Sequence, residues 1–304
     1  MDTKWINNGN KYFQGETSNQ QDKLNPGIYR VDFDEINRQL YLTKTDEVFK
    51  LPKKLYGTDV KFAERCIKTY HATKGNMGVL MNGVKGTGKT VTAQIISNSL
   101  KLPVLVVHNQ QEGLPQFINT IQQDIILFID EYEKIYNHYD HSVLTVMDGV
   151  LSTVDRRFFL FTTNDAHINH NMRQRPSRIR YIKEFGDLDR ATIEEIVDDL
   201  LIHEELRDET IEYLSTLEII TIDIAKTLVE EVNIHHETPK VFGDYFNTKQ
   251  VNNQCSVFVI EDNDGVTTEK MLYPKATVMP VKITIDSIGQ QLVINGDELG
   301  AIKS

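Results

Sequence analysis

Apolar residues along this chain follow several rhythms. From Gly27 to Thr43 they alternate with polar ones: Gly27-Ile28-Tyr29-Arg30-Val31-Asp32 and Gln39-Leu40-Tyr41-Leu42-Thr43 flank a polar turn, which predicts a β-hairpin. Residues 60–72 switch to a helical period, with Phe62, Ala63, Cys66, Ile67 and Tyr70 on one face. Between 78 and 185, four runs are apolar throughout: Gly78–Met81, Val104–Val107, Ile125–Ile129 and Phe158–Phe161. Helix-length amphipathic segments separate them. Strands apolar on both faces belong to a parallel sheet covered by helices, so an α/β domain is expected here.

Residues 187–236 carry helical stripes only: Ile193, Ile196, Val197 and Leu200; then Ile211 and Leu214; then Ile224, Ala225, Leu228, Val229 and Val232, with Asp223 as the expected cap of the last helix. After residue 255 strand-like runs return at Ser256–Ile260, Glu269–Tyr273, Val281–Ile285 and Gln291–Ile294. Turn sequences at Asp262-Asn263-Asp264-Gly265 and Asn295-Gly296-Asp297 punctuate them. The expected organisation is a β-rich N-terminal segment (1–50), an α/β domain (51–186), a small helical lid (187–245) and a small β-rich C-terminal domain (246–304). No internal repeat is visible.

One loop adds chemistry to this pattern. Gly83-Val84-Lys85-Gly86-Thr87-Gly88-Lys89-Thr90 fits G-x-x-x-x-G-K-[ST] throughout. An apolar strand precedes it, and an amphipathic helix with Ala93, Ile95, Ile96 and Leu100 follows, Val91 lying in its first turn. Glycines let such a loop fold tightly, so that backbone N–H groups point at phosphates. Lys89 is expected on the β- and γ-phosphates of ATP, Thr90 on Mg²⁺, and the helix adds its positive end.

The run Ile125–Ile129 ends in Asp130-Glu131. A strand this apolar places the acids at its C-terminal edge, where ligands bind in parallel α/β sheets. Asp130 is expected to hold Mg²⁺ through water, and Glu131 to act as the general base for the attacking water.

Composition narrows the partners. The 304 residues are 40% hydrophobic and 25% charged, an ordinary globular balance, and the net charge is −11. An acidic chain argues against broad phosphate-backbone binding, so nucleic acid is not favoured as a partner. Cys66 and Cys255 share no metal or redox spacing and read as buried thiols. Apolar runs stay far short of the ~20 residues of a membrane helix, and the first residues form no apolar signal core, so a soluble cytoplasmic protein is expected.

Further segments resemble a known family. Phe158-Phe159-Leu160-Phe161-Thr162-Thr163-Asn164 is similar to the AAA+ strand that ends in the first sensor residue. Arg175-Pro176-Ser177-Arg178-Ile179 resembles the Arg-Pro-Gly-Arg segment that carries the arginine fingers, and Leu144-Thr145-Val146-Met147-Asp148-Gly149 resembles the Leu-Asp-Gly helix between them. Their order is similar to the AAA branch of AAA+ ATPases over residues 50–236. Within it, the pattern most resembles the group of the mitochondrial inner-membrane chaperone that translocates the Rieske protein. The small size with a lone AAA module is also reminiscent of phage-encoded ATPases, which implies a host cytoplasm.

The resemblance implies that Asn164 orients the attacking water or senses the γ-phosphate. It implies that Arg175 and Arg178 reach the nucleotide of a neighbouring subunit in a homo-oligomer, usually a hexameric ring, and that Tyr56-Gly57 lies in an adenine-contacting loop. Such a ring remodels or translocates a protein substrate. A nucleic-acid loader ATPase, or a nucleotide-gated scaffold with incidental hydrolysis, is the alternative. Three departures stand out. The finger segment reads Pro-Ser-Arg; no second-sensor arginine stands at Thr221-Ile222-Asp223-Ile224; and His108-Asn109-Gln110-Gln111-Glu112-Gly113 lacks the aromatic residue of a threading pore loop.

His167/His170 and His235/His236 do not form the H-E-x-x-H pattern of a zinc site, so they are expected to be solvated or packed. Tyr132, Tyr136 and Tyr139 read as packing or subunit-contact residues.

Overall fold

The computed structural model describes residues 5–14, 20–57, 60–136, 155–165, 179–246 and 248–250, Met147, and the strand residues 259–261, 265–267, 281–285 and 290–294. The chain divides into two compact units: Met1–Ile196 with Thr221–Thr227, and Val197–Ile220 with Leu228–Ser304. Of the three breaks along the chain, those after Ile196 and Thr227 fall inside the helices Arg190–Leu200 and Ile222–His235, and the one after Ile220 falls just before the second of them.

The first unit is built on one sheet. Its strands are β1 (Trp5–Asn8), β2 (Lys11–Gln14), β3 (Gln20–Gln21), β4 (Gly27–Asp34), β5 (Gln39–Asp46), β6 (Met77–Gly83), β7 (Pro103–Val106), β8 (Ile125–Ile129), β9 (Arg157–Thr163) and β10 (Ile179–Phe185). The order is β10-β6-β9-β8-β7-β4-β5-β2-β1-β3. The stretch from β10 to β4 is parallel, and the strands beyond it pair antiparallel. Every residue of β7, β8 and β9 is buried, which is why those runs contain almost no polar positions.

Two features depart from the pattern read along the chain. The expected hairpin forms as β4–β5, but β4 also lies parallel beside β7, Ile28 level with Val104, so the N-terminal strands extend the central sheet. Strand β10 was not expected. It is an edge strand with alternating exposure, and Arg180, Lys183 and Glu184 interrupt the apolar run that marks its neighbours.

Helices cover the sheet between strands: α1 (Val60–Ala72), α2 (Lys89–Leu100), α3 (Leu114–Thr120) and α4 (Tyr132–Ile135). On one face α1 and α2 pack Ala63, Cys66, Tyr70, Ala93 and Ile96 against Val79, Ile126, Phe128 and Phe158. On the other, Leu114, Phe117, Ile118 and Tyr132 meet Leu105, Leu127, Ile129 and Phe161. Tyr132 and Tyr136 are buried and stacked at 5.1 Å, which fits the packing role; Tyr139 lies outside the described residues.

The lower rim of the sheet is pinned by charge. Arg157 is 2% exposed, and its guanidinium donates to the carbonyls of Gln123, Ile118 and Ile121. Arg156 lies over the Tyr70 ring at 4.1 Å and bonds Asp124 at 2.8 Å.

Helix α5 (Arg190–Leu200) and the first turns of α7 (Ile222–His235) begin in the first unit. Asp223 is not the cap of α7. The Thr221 hydroxyl accepts the Ile224 N–H at 3.3 Å, so the helix starts two residues earlier than expected and Asp223 stands within its first turn.

In the second unit α6 (Arg207–Ser215), the later turns of α7 and α8 (Pro239–Phe242) bury Ile211, Tyr213, Leu214, Leu228, Val229, Val232 and Phe242. Hairpins Val259–Glu261 with Gly265–Thr267, and Val281–Ile285 with Gln290–Ile294, follow. The Glu269–Tyr273 run, the turns at 262–264 and 295–297, and Cys255 lie outside the described residues. Among those residues no helix is long and apolar enough to cross a membrane.

Candidate functional site

Register gathers the site. Asn82 of β6 is level with Thr163 of β9, and Ile129 of β8 with Phe161 of β9. The loop after β6, the acids after β8 and Asn164 after β9 therefore leave the sheet side by side at its C-terminal edge, where β9 lies between β6 and β8.

The loop takes its shape from its glycines. Gly83 has φ 146, and a Cβ there would lie 2.0 Å from the Phe185 carbonyl oxygen, so β6 and β10 approach too closely for any side chain. Gly88 caps α2 with φ 97. Lys89, the first residue of α2, is only 5% exposed. Its ammonium donates to the carbonyls of Gly83 and Val84 at 2.7 and 2.8 Å and to Asn164 Oδ1 at 2.9 Å. Burial pushes the Lys89 pKa down, against the opposing pull of Glu133, Asp130 and Glu131. All three acceptors are neutral, so the positive charge is left for an anion. Thr87 turns inward and bonds Val84 O at 2.7 Å.

The acidic side is equally organised. Asp130 Oδ1 accepts from Thr90 Oγ1 at 2.9 Å and from Thr162 Oγ1 at 2.5 Å. Thr162 in turn accepts the Glu131 N–H at 2.9 Å. Glu131 stands in the left-handed region, φ 53, ahead of α4. Its carboxylate meets Lys134 Nζ at 2.5 Å and the Asn164 amide at 3.4 Å. The Lys134 hydrogen bond, with the lysine's charge and that of Lys85, holds the Glu131 pKa below the usual carboxylate range.

Asn164 is the junction between the two sides. While its Oδ1 receives Lys89, its Nδ2 and backbone N–H donate to Glu133 Oε1 at 2.8 and 3.2 Å. The other Glu133 oxygen is buried without a hydrogen-bond partner.

These groups open on a cavity of about 360 Å³, the size class of small-ligand sites. Lys85, Gly86, Gly88, Lys89, Thr90, Val91, Asp130, Glu131 and Asn164 line it, all expected as site residues. Tyr56 also lines it, with Lys54 and Lys226 Nζ at 5.1 and 5.0 Å from its ring. Gly57 does not line this cavity; it lies against Thr192 and Leu188 and lines a separate one. Arg175, Arg178, His167 and His170 lie outside the described residues.

The arrangement fits a nucleoside triphosphate. A buried cation with neutral partners faces helix-end N–H groups, and a hydroxyl paired with a carboxylate supplies the hard oxygens that Mg²⁺ prefers. Residues 79–187 match the family model "ATPase family associated with various cellular activities (AAA)". This segment is therefore similar to an AAA ATPase module.

No curated protein matches the chain. Among solved structures it is similar to the Thermotoga maritima RuvB Holliday junction branch migration motor, at 19% identity over 63% of this chain and 67% of that one, TM-score 0.44. A point-substituted form of T. maritima RuvB gives 18% identity, 60% and 62% coverage and TM-score 0.44.

Several residues of this site were not singled out in the sequence. Thr162 lies inside an apolar strand, and Glu133 and Lys134 follow the acidic pair as ordinary helix-start charges. Asp223 and Lys226 reach the cavity from α7, more than 130 residues after the loop. Only the i,i+3 spacing of Glu131 and Lys134 offers a local cue.

Proposed function

We propose that the protein hydrolyses Mg-ATP as a ring-forming AAA+ machine that remodels or translocates a protein or a macromolecular assembly. The observation that carries the reading is the bridge through Asn164, which joins Lys89 of the phosphate loop to Glu131 and Glu133 across the cavity.

In this reading the loop N–H groups and Lys89 hold the β- and γ-phosphates, and Tyr56 flanks the base. Thr90 and Asp130 hold Mg²⁺, which when bound neutralises charge on the phosphates. Glu131 accepts the proton of the attacking water, an ionised carboxylate being the form a base requires. Asn164 orients that water as Lys89 exchanges its amide for phosphate. Arg175 and Arg178 act on a neighbour's nucleotide, a role drawn from the motif resemblance; a trans arginine contributes ~10³–10⁵ in rate. The net charge of −11 favours a protein rather than a nucleic-acid substrate.

The test is the Glu131→Gln variant. It should bind ATP with near-normal affinity, turn over at background rate, and shift from monomer to a closed oligomer in light scattering when Mg-ATP is added. Near-normal turnover would remove Glu131 as the base. An ATP-bound monomer would remove the homomeric ring.

A further inference from the structure

A second cluster of chemical groups lies in the other compact unit, where chain segments more than thirty residues apart meet. Helix α7 ends at His235, and His236 follows with φ 54, in the left-handed region that histidine enters more readily than most side chains. That turn lays the His236 ring on the ring of His203, centroids 3.9 Å apart and planes within 10°. It also brings His236 Nε2 to 2.6 Å from Glu205 Oε1.

The frame beneath is fixed. Asn233 accepts the Ile202 N–H at 2.8 Å and donates to the Leu200 carbonyl at 2.8 Å, clamping the 200–203 loop to the last turn of α7.

His203 is oriented by the same residue. Its Nε2 lies 3.4 Å from the Asn233 carbonyl oxygen, which can only accept. The Nε2–H tautomer is therefore favoured, and the Nδ1 lone pair is left 3.9 Å from Glu205 Oε1. A histidine whose far nitrogen donates to a backbone carbonyl is the usual arrangement of a metal ligand. Donor atoms of His203, Glu205 and His236 all lie within 4.8 Å of one another.

We propose that His203, Glu205 and His236 bind a divalent transition-metal ion of the zinc class, clipping the turn at Glu204–Leu206 to the end of α7. Bond lengths of ~2.0–2.2 Å in a tetrahedral zinc site put ligand atoms about 3.4 Å apart. The present separations of 2.6 and 3.9 Å bracket that value, so the backbone need not move far. Two parallel rings cannot both aim their lone pairs at one ion, so one imidazole turns about its Cβ–Cγ bond on binding. His236, with 58% of its side chain exposed, has the room. Water completes the fourth position.

Two imidazoles with one carboxylate select zinc, nickel, cobalt or copper over magnesium. The site is thus chemically distinct from the Thr90–Asp130 pair and independent of the ATPase assignment. Because the ligands bind as neutral imidazoles and a carboxylate, uptake releases protons from any protonated histidine.

The experiment uses the untagged full chain, stripped with chelator and held in excess Mg²⁺ so that the hard-oxygen site is occupied. Zn²⁺ is titrated by calorimetry, Co²⁺ by visible absorption, and melting temperature is followed with and without Zn²⁺. One equivalent should bind, with tetrahedral cobalt bands and a higher melting temperature. His203→Ala and His236→Asn should each weaken affinity at least tenfold and abolish the thermal shift; asparagine tolerates the left-handed backbone at 236, so that variant keeps the fold. Glu205→Gln should weaken binding as well. Absence of zinc binding would overturn the proposal, leaving a surface histidine–glutamate contact. So would unchanged stoichiometry and affinity in His236→Asn, which would put any bound ion elsewhere.

Discussion

Replacing Thr162 with valine tests how the acidic side of the site is held. Thr162 is 1% exposed, and its hydroxyl is shared between Asp130 Oδ1 at 2.5 Å and the Glu131 N–H at 2.9 Å. Valine keeps the shape and removes both bonds. A hydrogen bond to a charged group contributes ~1.5–3 kcal/mol, and a buried N–H left without a partner costs ~1–3 kcal/mol. Asp130 retains Thr90 as a donor, so the lower half of each range applies and the sum is about 2.5–4 kcal/mol. For a unit of this size each kcal/mol moves the melting temperature by about 2–4 °C, so Thr162→Val should melt roughly 5–15 °C lower. Turnover should fall as well. Glu131 holds its left-handed backbone, φ 53, with its N–H anchored on Thr162, and a displacement near 1 Å at a reacting group costs ~10²-fold in rate. Calorimetric melting and steady-state ATP turnover are the assays, with Thr162→Ser as the control that keeps the hydroxyl. A valine variant that melts and turns over like the parent would refute the reasoning. A serine variant as damaged as the valine would shift the role from hydroxyl to methyl.

Gly83→Ala places a Cβ 2.0 Å from the Phe185 carbonyl oxygen, so β6 and β10 must separate; the variant should lose ATP-dependent stabilisation in a thermal-shift assay even where it remains folded. Lys134→Ala removes the hydrogen bond that holds the Glu131 pKa down, so that pKa rises and the acidic limb of the kcat profile should move toward neutral pH; an unmoved limb would show that Lys134 does not set this ionisation. For Asp124, burial alone would raise the pKa, but hydrogen bonds from Arg156 and Tyr70 outweigh it and the folded value is lowered. Its contribution to stability is therefore complete above the unfolded value of about 3.9 and is lost as pH falls through the folded one. The melting-temperature gap between the parent and Asp124→Asn should be constant from pH 7 to about pH 5 and close below about pH 4; a gap that persists in acid would contradict this.

What the chain declares by itself is what neighbouring residues build together. The loop from Gly83 to Thr90 is eight consecutive positions with a fixed spacing, so it stands out along the chain without reference to any other segment. Strands β6 to β9 were legible because burial on both faces leaves an unbroken apolar run, and Asp130-Glu131 because the acids follow such a run directly. Strand β10 was hidden for the opposite reason: one face is solvated, and its charges break the run.

Tertiary structure decided everything that depends on which segments meet. The sequence does not say that the N-terminal hairpin lies beside β7, because pairing between strands more than seventy residues apart leaves no local trace. Nor does it say that Thr162 holds Asp130, that Glu133 engages Asn164, or that α7 brings Asp223 and Lys226 to the cavity. His236 had no ligand partner within a helical turn, and found Glu205 and His203 only because Asn233 clamps the loop that carries them. Periodicity and motif spacing report interactions along the backbone, whereas these contacts arise from packing, where distance along the chain and distance in space part company.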